Sequence, residues 1–180
     1  MLPRKLEKAL NDQMAFESYS AYIYLSMSAW LEGQDLPGFA NWMRVQTLEE
    51  MVHAAKFYSF IVDREGTVSL AAIEKPPASW KSPLAVFEHA HSHEQEVTRR
   101  IHALVDLARA ERDHATESFL QWFVTEQVEE EKNTKSVAQQ IRMAGNAGQG
   151  LFLVNRELPA RVFAPPAGCS FTTGAGPGAP

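Results

Sequence analysis

Four segments of the chain repeat apolar residues in steps of three and four, the period of an α-helix with one buried face. None of the four stripes is apolar throughout. The first, over about residues 5 to 33, reads Leu6, Leu10, Gln13, Glu17, Ser20, Tyr24, Met27, Leu31. The second, over about 37 to 65, reads Phe39, Met43, Gln46, Glu50, His53, Phe57, Phe60. The third starts after Ser82 and Pro83, an N-cap followed by a first-turn proline, and runs to about residue 110. It reads Phe87, Ala90, Glu94, Val97, Ile101, Leu104, Ala108. The fourth follows a polar turn near residues 110 to 114 and ends near Gly145, reading Leu120, Phe123, Gln127, Glu130, Thr134, Val137, Ile141. Each stripe is broken near mid-length by a carboxylate.

Helices of this length extend roughly 40 Å. Gly33 and Gly66 stand where the first two should stop, and Pro37 suits the first turn of the second. The loops after helices one and three are short, so those pairs should be antiparallel. Between helices two and three lie residues 66 to 81, where Pro76 and Pro77 forbid a helix. That link spans roughly 50 Å if extended, enough to run the length of a bundle and make helices two and three parallel. The fold predicted is all-α: a four-helix bundle with one long crossover. A short fifth helix is expected over 150 to 158. Residues 1 to 158 form one domain on this reading, and the Pro/Gly/Ala-rich stretch 159 to 180 reads as a flexible tail.

The net charge of −5, from 17 basic and 22 acidic residues, gives no electrostatic reason to expect nucleic acid or an anionic membrane as partner. The single cysteine, Cys169, excludes an internal disulfide and any Cys-x-x-Cys site. The N-terminus lacks the apolar core of a secretory signal, and no apolar run approaches a membrane span. A cytoplasmic protein is expected.

The chemistry lies in the broken stripes. Glu17, Glu50, Glu94 and Glu130 all fall near the middle of their helices. They should therefore converge at one level whichever way each helix points, with His53 and Gln127 beside them. Four carboxylates in a core cannot stay ionised without compensation, because each unpaired buried charge costs several kcal/mol. No Lys or Arg stands on the stripes to neutralise them. Two divalent cations balance the charge, and an oxygen-rich set with one imidazole suits iron or manganese.

A lone Glu-x-x-His is a weak motif. The same motif at Glu88 and His91 carries less weight, because it sits off the third stripe. In "EHAHSHEQE" the stripe residue is Glu94; His89 and His93 are read as facing elsewhere, and His91 borders the stripe. Glu49 adjoins Glu50, while Glu126 and Glu129 share a face of helix four. They read as a solvated face or as an auxiliary cation site. Tyr24, two turns from Glu17, either fills core or serves a redox metal.

These residues resemble the bacterial non-haem ferritins. The resemblance rests on Glu17, Tyr24, "LEEMVH" (48 to 53), Glu94, "FLQWFVTEQVEEEK" (119 to 132) and the closing "AGNAGQGLFLVNREL". It covers about residues 1 to 158. It implies a ferroxidase and iron store, assembled as a hollow cage of 24 subunits. Glu17, Glu50 and His53 would hold one iron. Glu50 would bridge to a second, held also by Glu94 and Glu130, with Gln127 close by. Glu49, Glu126, Glu129 and Glu130 would form a third iron site. O₂ or H₂O₂ would accept the electrons of Fe(II), and ferric mineral would collect in the cavity. Haem-containing bacterioferritins carry a second Glu-x-x-His on helix four, where this chain has Gln127 and Glu130, so haem is not expected. Met51 is the one residue shared with their haem ligand, and non-haem members carry it too. The rivals are another di-iron carboxylate oxidoreductase and, from a different class, a metal-free helical scaffold. In the scaffold, Glu50→Leu should stabilise the fold.

Overall fold

The computed structural model describes residues 2–145 and 148–164. Its helices are α1 (Arg4–Glu32), α2 (Pro37–Asp63), α3 (Pro83–Ala110), α4 (His114–Ala144) and α5 (Gly148–Glu157), followed by a 3₁₀ turn at Leu158–Ala160. The segment read as the end of the tail, with Cys169, lies outside the described residues.

Side-chain contacts fix the helix directions. Ser28 donates to the carbonyl of Ala40, so α1 and α2 are antiparallel across a tight turn. Arg100 reaches Gln13 while Tyr24 reaches Glu94, so α1 and α3 are antiparallel as well. Gln46 meets Glu130 and Phe57 stacks on Phe123, making α2 and α4 antiparallel. Hence α2 and α3 run parallel, as the long link predicted. The link lies along α1 from end to end. Thr67 N–H donates to Glu7 at 2.9 Å near the start of α1, and Trp80 packs edge-on against Trp30 near its end.

The helix ends combine expected and unexpected chemistry. Ser82 caps α3 by accepting from Ala85 N–H at 3.2 Å, with Pro83 in the first turn. Asp113 caps α4 and also takes a two-pronged bond from Arg64 at the far end of α2, at 2.8 and 2.7 Å. The left-handed residues that end α1, α2 and α3 are Asp35, Glu65 and Arg112, with φ of 56°, 56° and 54°. Gly33, read as the stop of α1, keeps a right-handed φ of −65°. The first turn of α2 has no cap of its own. Asn155 of α5 supplies it, its Oδ1 accepting from the N–H groups of Gly38 at 2.9 Å and Phe39 at 3.2 Å.

Two apolar clusters fill the bundle. One contains Met27, Phe39, Met43, Phe87 and Ile141. The other contains Leu6, Leu10, Phe57, Ile101 and Phe123. The polar stripe residues lie between them.

Candidate metal centre

Glu17, Glu50, Glu94 and Glu130 are each no more than 3% exposed. They occupy one layer, each between residues of the two apolar clusters on its own helix. The helical period places them there: the stripes enter the layer at Leu10, Met43, Ala90 and Phe123 and leave it at Tyr24, Phe57, Val97 and Val137.

Each carboxylate has a neutral holder. Gln13 Nε2 donates to Glu17 Oε1 at 2.8 Å. Gln46 Nε2 lies 3.2 Å from Glu50 Oε1 and 2.7 Å from Glu130 Oε2. The Tyr24 hydroxyl donates to Glu94 Oε1, and Gln127 Nε2 donates to Glu94 Oε2 at 3.1 Å. His53 Nδ1 stands 3.3 Å from Glu50 Oε2, with its ring edge-on to Trp122 and Phe123. No Lys or Arg forms an ion pair with any of the four carboxylates among the described residues.

The result is a surplus of acceptors. Glu17 Oε2, Gln46 Oε1 and Glu50 Oε2 are buried without a donor. Burial, followed by the charge of neighbouring carboxylates, pushes all four glutamic acids up to about 8. Burial and the Glu94 charge raise the Tyr24 phenol well above its ordinary range. The layer therefore holds protons at neutral pH unless another cation replaces them.

Among the described residues, two donor groups have atoms within 4.8 Å of one another: Glu17, Glu50 and His53, and then His53, Glu126 and Glu130. His53 belongs to both. Glu126 thus lies beside Glu130 and His53. Glu94 lies in the same layer, turned to Tyr24 and Gln127. Glu129 is exposed on α4, and Glu49 is partly buried against Arg161. Met51 is 58% exposed on the outer side of α2.

The histidine-rich stretch differs from its sequence reading at one point. His93 is buried, not on an outward face. It lies 2.8 Å from the Ser20 hydroxyl, stacks on Phe16 and meets Tyr24 edge-on. Periodicity missed it because it falls one position before the stripe residue Glu94, on the side of α3 that faces α1. Trp80 Nε1 donates to Nδ1 of His89 at 3.0 Å. His91 Nδ1 lies 3.2 Å from Thr134 Oγ1, and that hydroxyl donates to the carbonyl of Glu130.

A crossed-over four-helix bundle with a buried layer of glutamates and one histidine defines the ferritin-like class. Residues 7–144 match the Ferritin-like domain. The chain is 42% identical over 161 residues to the bacterial non-heme ferritin of Bacteroides fragilis, spanning 89% of this chain and 100% of that one. It is 40% identical over 163 residues to the bacterial non-heme ferritin of Staphylococcus aureus, spanning 91% and 98%. A closed form of the Archaeoglobus fulgidus ferritin, engineered by site-directed mutagenesis, superposes with a TM-score of 0.90 at 47% identity, over 91% of this chain and all of that one. The chain belongs to the ferritin family.

Proposed function

We propose that this chain stores iron and oxidises Fe(II) to Fe(III) at the buried carboxylate layer, with O₂ or H₂O₂ taking the electrons. The observation that carries this reading is the surplus of buried acceptors, Glu17 Oε2 and Glu50 Oε2 above all. A pair of divalent cations satisfies them and balances four carboxylates.

Fe(II) entering the layer displaces the protons held by the four carboxylic acids. Glu17, Glu50 and His53 hold one ion. Glu50 is shared with a second, which Glu94 and Glu130 also bind. Gln13, Gln46 and Gln127 keep the carboxylates in place without adding charge, and Tyr24 orients Glu94. The apolar clusters on both sides limit water in the layer, which strengthens every electrostatic interaction there. Two Fe(II) ions together supply the two electrons that reduce O₂ to H₂O₂. Glu49, Glu126, Glu129 and Glu130 provide a third iron site, and ferric product moves on to the cavity. Gln127 stands where a second Glu-x-x-His would place a carboxylate, in keeping with the non-haem group.

A homo-oligomeric cage of 24 subunits, with mineral inside, fits the exposed apolar face on α1, α2 and the link. Tyr22, Leu25, Leu48, Met51 and Ile73 are each at least 43% exposed there, a patch of the kind that subunit association covers. The expected setting is the cytoplasm; no described helix is long and apolar enough to cross a membrane.

Aerobic addition of Fe(II) to metal-free protein tests the whole reading, with oxidation followed by absorbance and assembly by light scattering. Fast oxidation by a large assembly is expected. Glu50→Leu should abolish fast oxidation and leave assembly intact. A monomer or dimer that oxidises iron no faster than buffer would sink the proposal.

A further inference from the structure

Arg161, directly after the 3₁₀ turn, returns to α2 beside the carboxylate layer. Its Nη2 pairs with Glu49 Oε2, and its Cζ lies 4.2 Å over the Trp42 ring. Its Nη1 donates to the Trp42 carbonyl at 3.4 Å, while its own carbonyl accepts from Asn41 Nδ2 at 3.0 Å. The ion pair is well packed, with side chains 20% and 24% exposed. Burial raises the Glu49 carboxyl, and the Arg161 charge opposes that rise. His53, Glu126 and Glu130 already gather ligand atoms within 4.8 Å. The guanidinium thus holds the auxiliary carboxylate that α2 supplies, the residue next to Glu50.

We propose that Arg161 is a built-in counter-cation that competes with a metal ion for Glu49, so that filling the auxiliary site releases the segment after α5. This rests on the proposed metal-binding function. A guanidinium bonded to Oε2 and a divalent cation cannot both take that oxygen, and an arginine forced off Glu49 loses its anchor over Trp42. Linkage makes the effect reciprocal: whatever docks the segment weakens the auxiliary site, and the ion loosens the segment. The centre formed by Glu17, Glu50 and His53 makes no contact with Arg161.

Titration of the assembled, metal-free protein with Zn(II) by calorimetry separates the two classes of site. Wild type should take up two tight equivalents and a weaker one. In Arg161→Gln the weaker equivalent should tighten by about tenfold, within the usual span for coupled sites. Glu49→Gln should lose it. Hydrogen exchange of residues 148–164 in wild type should speed up only beyond the second equivalent. Equal affinity of the weaker equivalent in wild type and Arg161→Gln, or exchange indifferent to Zn(II), overturns this inference and leaves the central site standing. Absence of the two tight equivalents in both proteins overturns the proposed function, and the competition with it.

Discussion

Nε2 of Gln46 donates to Oε2 of Glu130 at 2.7 Å, across 84 positions of sequence, inside the layer where α2 faces α4. The same nitrogen lies 3.2 Å from Glu50 Oε1, so one neutral amide holds two carboxyls of like charge at a set separation. Gln46→Leu removes that donor from both. Leaving buried polar groups unsatisfied costs about 1–3 kcal/mol. Thermal unfolding of the metal-free protein should show a loss of that size. Zn(II) should recover part of it by taking over as partner of Glu50 and Glu130. A Gln46→Leu protein as stable as wild type without metal excludes this role.

Tyr24 acts on the layer through Glu94. Its hydroxyl is the donor to Glu94 Oε1, and Gln127 already holds the other oxygen. Tyr24→Phe keeps the ring packing and deletes the bond. Groups that orient a metal ligand usually contribute about 10–100-fold to affinity. Zn(II) titration should therefore show one of the two tight equivalents weakened by that factor and the other unchanged. Equal weakening of both would falsify the assignment of Tyr24 to Glu94.

Periodicity made the bundle and the carboxylate layer readable because both depend on a 3.6-residue repeat within one helix. Glu17, Glu50, Glu94 and Glu130 stand out as breaks in stripes, and the breaks coincide in height. Contacts between elements carry no such signal. Asn155 caps α2 from 117 positions away, and Arg161 reaches Glu49 from 112 away, with no local pattern to announce either. The left-handed residues Asp35, Glu65 and Arg112 were equally hidden, because glycine is the usual occupant and Gly33 and Gly66 stood nearby. His93 was hidden for a different reason. A bundle helix touches two neighbours, so its buried arc is wider than one stripe.

The Arg64 and Asp113 pair joins the end of α2 to the start of α4. Arg64, first among the causes, and the Thr116 N–H hold the Asp113 carboxyl far below its usual range, against the opposing effect of burial. A depressed carboxyl contributes stability above its unfolded value of about 3.9, and that contribution is lost as pH falls below it. Asp113→Asn keeps a good N-cap and removes the charge. With Arg64 partly exposed, a loss of about 1–2 kcal/mol is expected at pH 7. The gap between variant and wild type should begin to narrow as the pH drops below about 4 and close only well below that, once the folded carboxyl is itself protonated. Denaturant unfolding at pH 7, 4 and 2 checks both halves, and a gap that does not narrow between pH 4 and pH 2 rules out the ion pair as its source.

The four buried glutamic acids give the metal-free protein the opposite slope. Their folded value of about 8 lies above the unfolded value of about 4.3, so the folded state binds more protons between the two. Stability from these groups is complete below about 4.3 and is lost as pH rises through about 8. His93, lowered by burial to about 4, contributes in the other direction, but only below its ordinary 6.5. Between pH 6.5 and 8 the carboxyls act without that offset. The melting temperature of metal-free protein should fall across this interval, and Zn(II) should cancel the fall by replacing the protons. A melting temperature that is flat across it, or indifferent to Zn(II), contradicts the layer's raised proton affinity.

At Gly38 the backbone of α5 closely approaches α2. A Cβ built there would lie 1.7 Å from the carbonyl oxygen of Asn155, far inside any tolerated contact. The atom met is backbone, so no rotamer change relieves it. The N–H of Gly38 also donates to Asn155 Oδ1, and the same clash would pull that cap away from Phe39. Gly38→Ala should thus undock α5 while the four long helices stay formed, because α5 adds only Leu151 and Val154 at the edge of one cluster, whose buried members all lie on α1 to α4. Asn155→Ala removes the cap without the clash and should cost about 0.5–2 kcal/mol. Hydrogen exchange distinguishes the two. Gly38→Ala should unprotect residues 148–157 along with the first turn of α2. Asn155→Ala should unprotect chiefly the N–H groups of Gly38 and Phe39. Full protection of α5 in Gly38→Ala refutes the close approach as the feature that requires glycine.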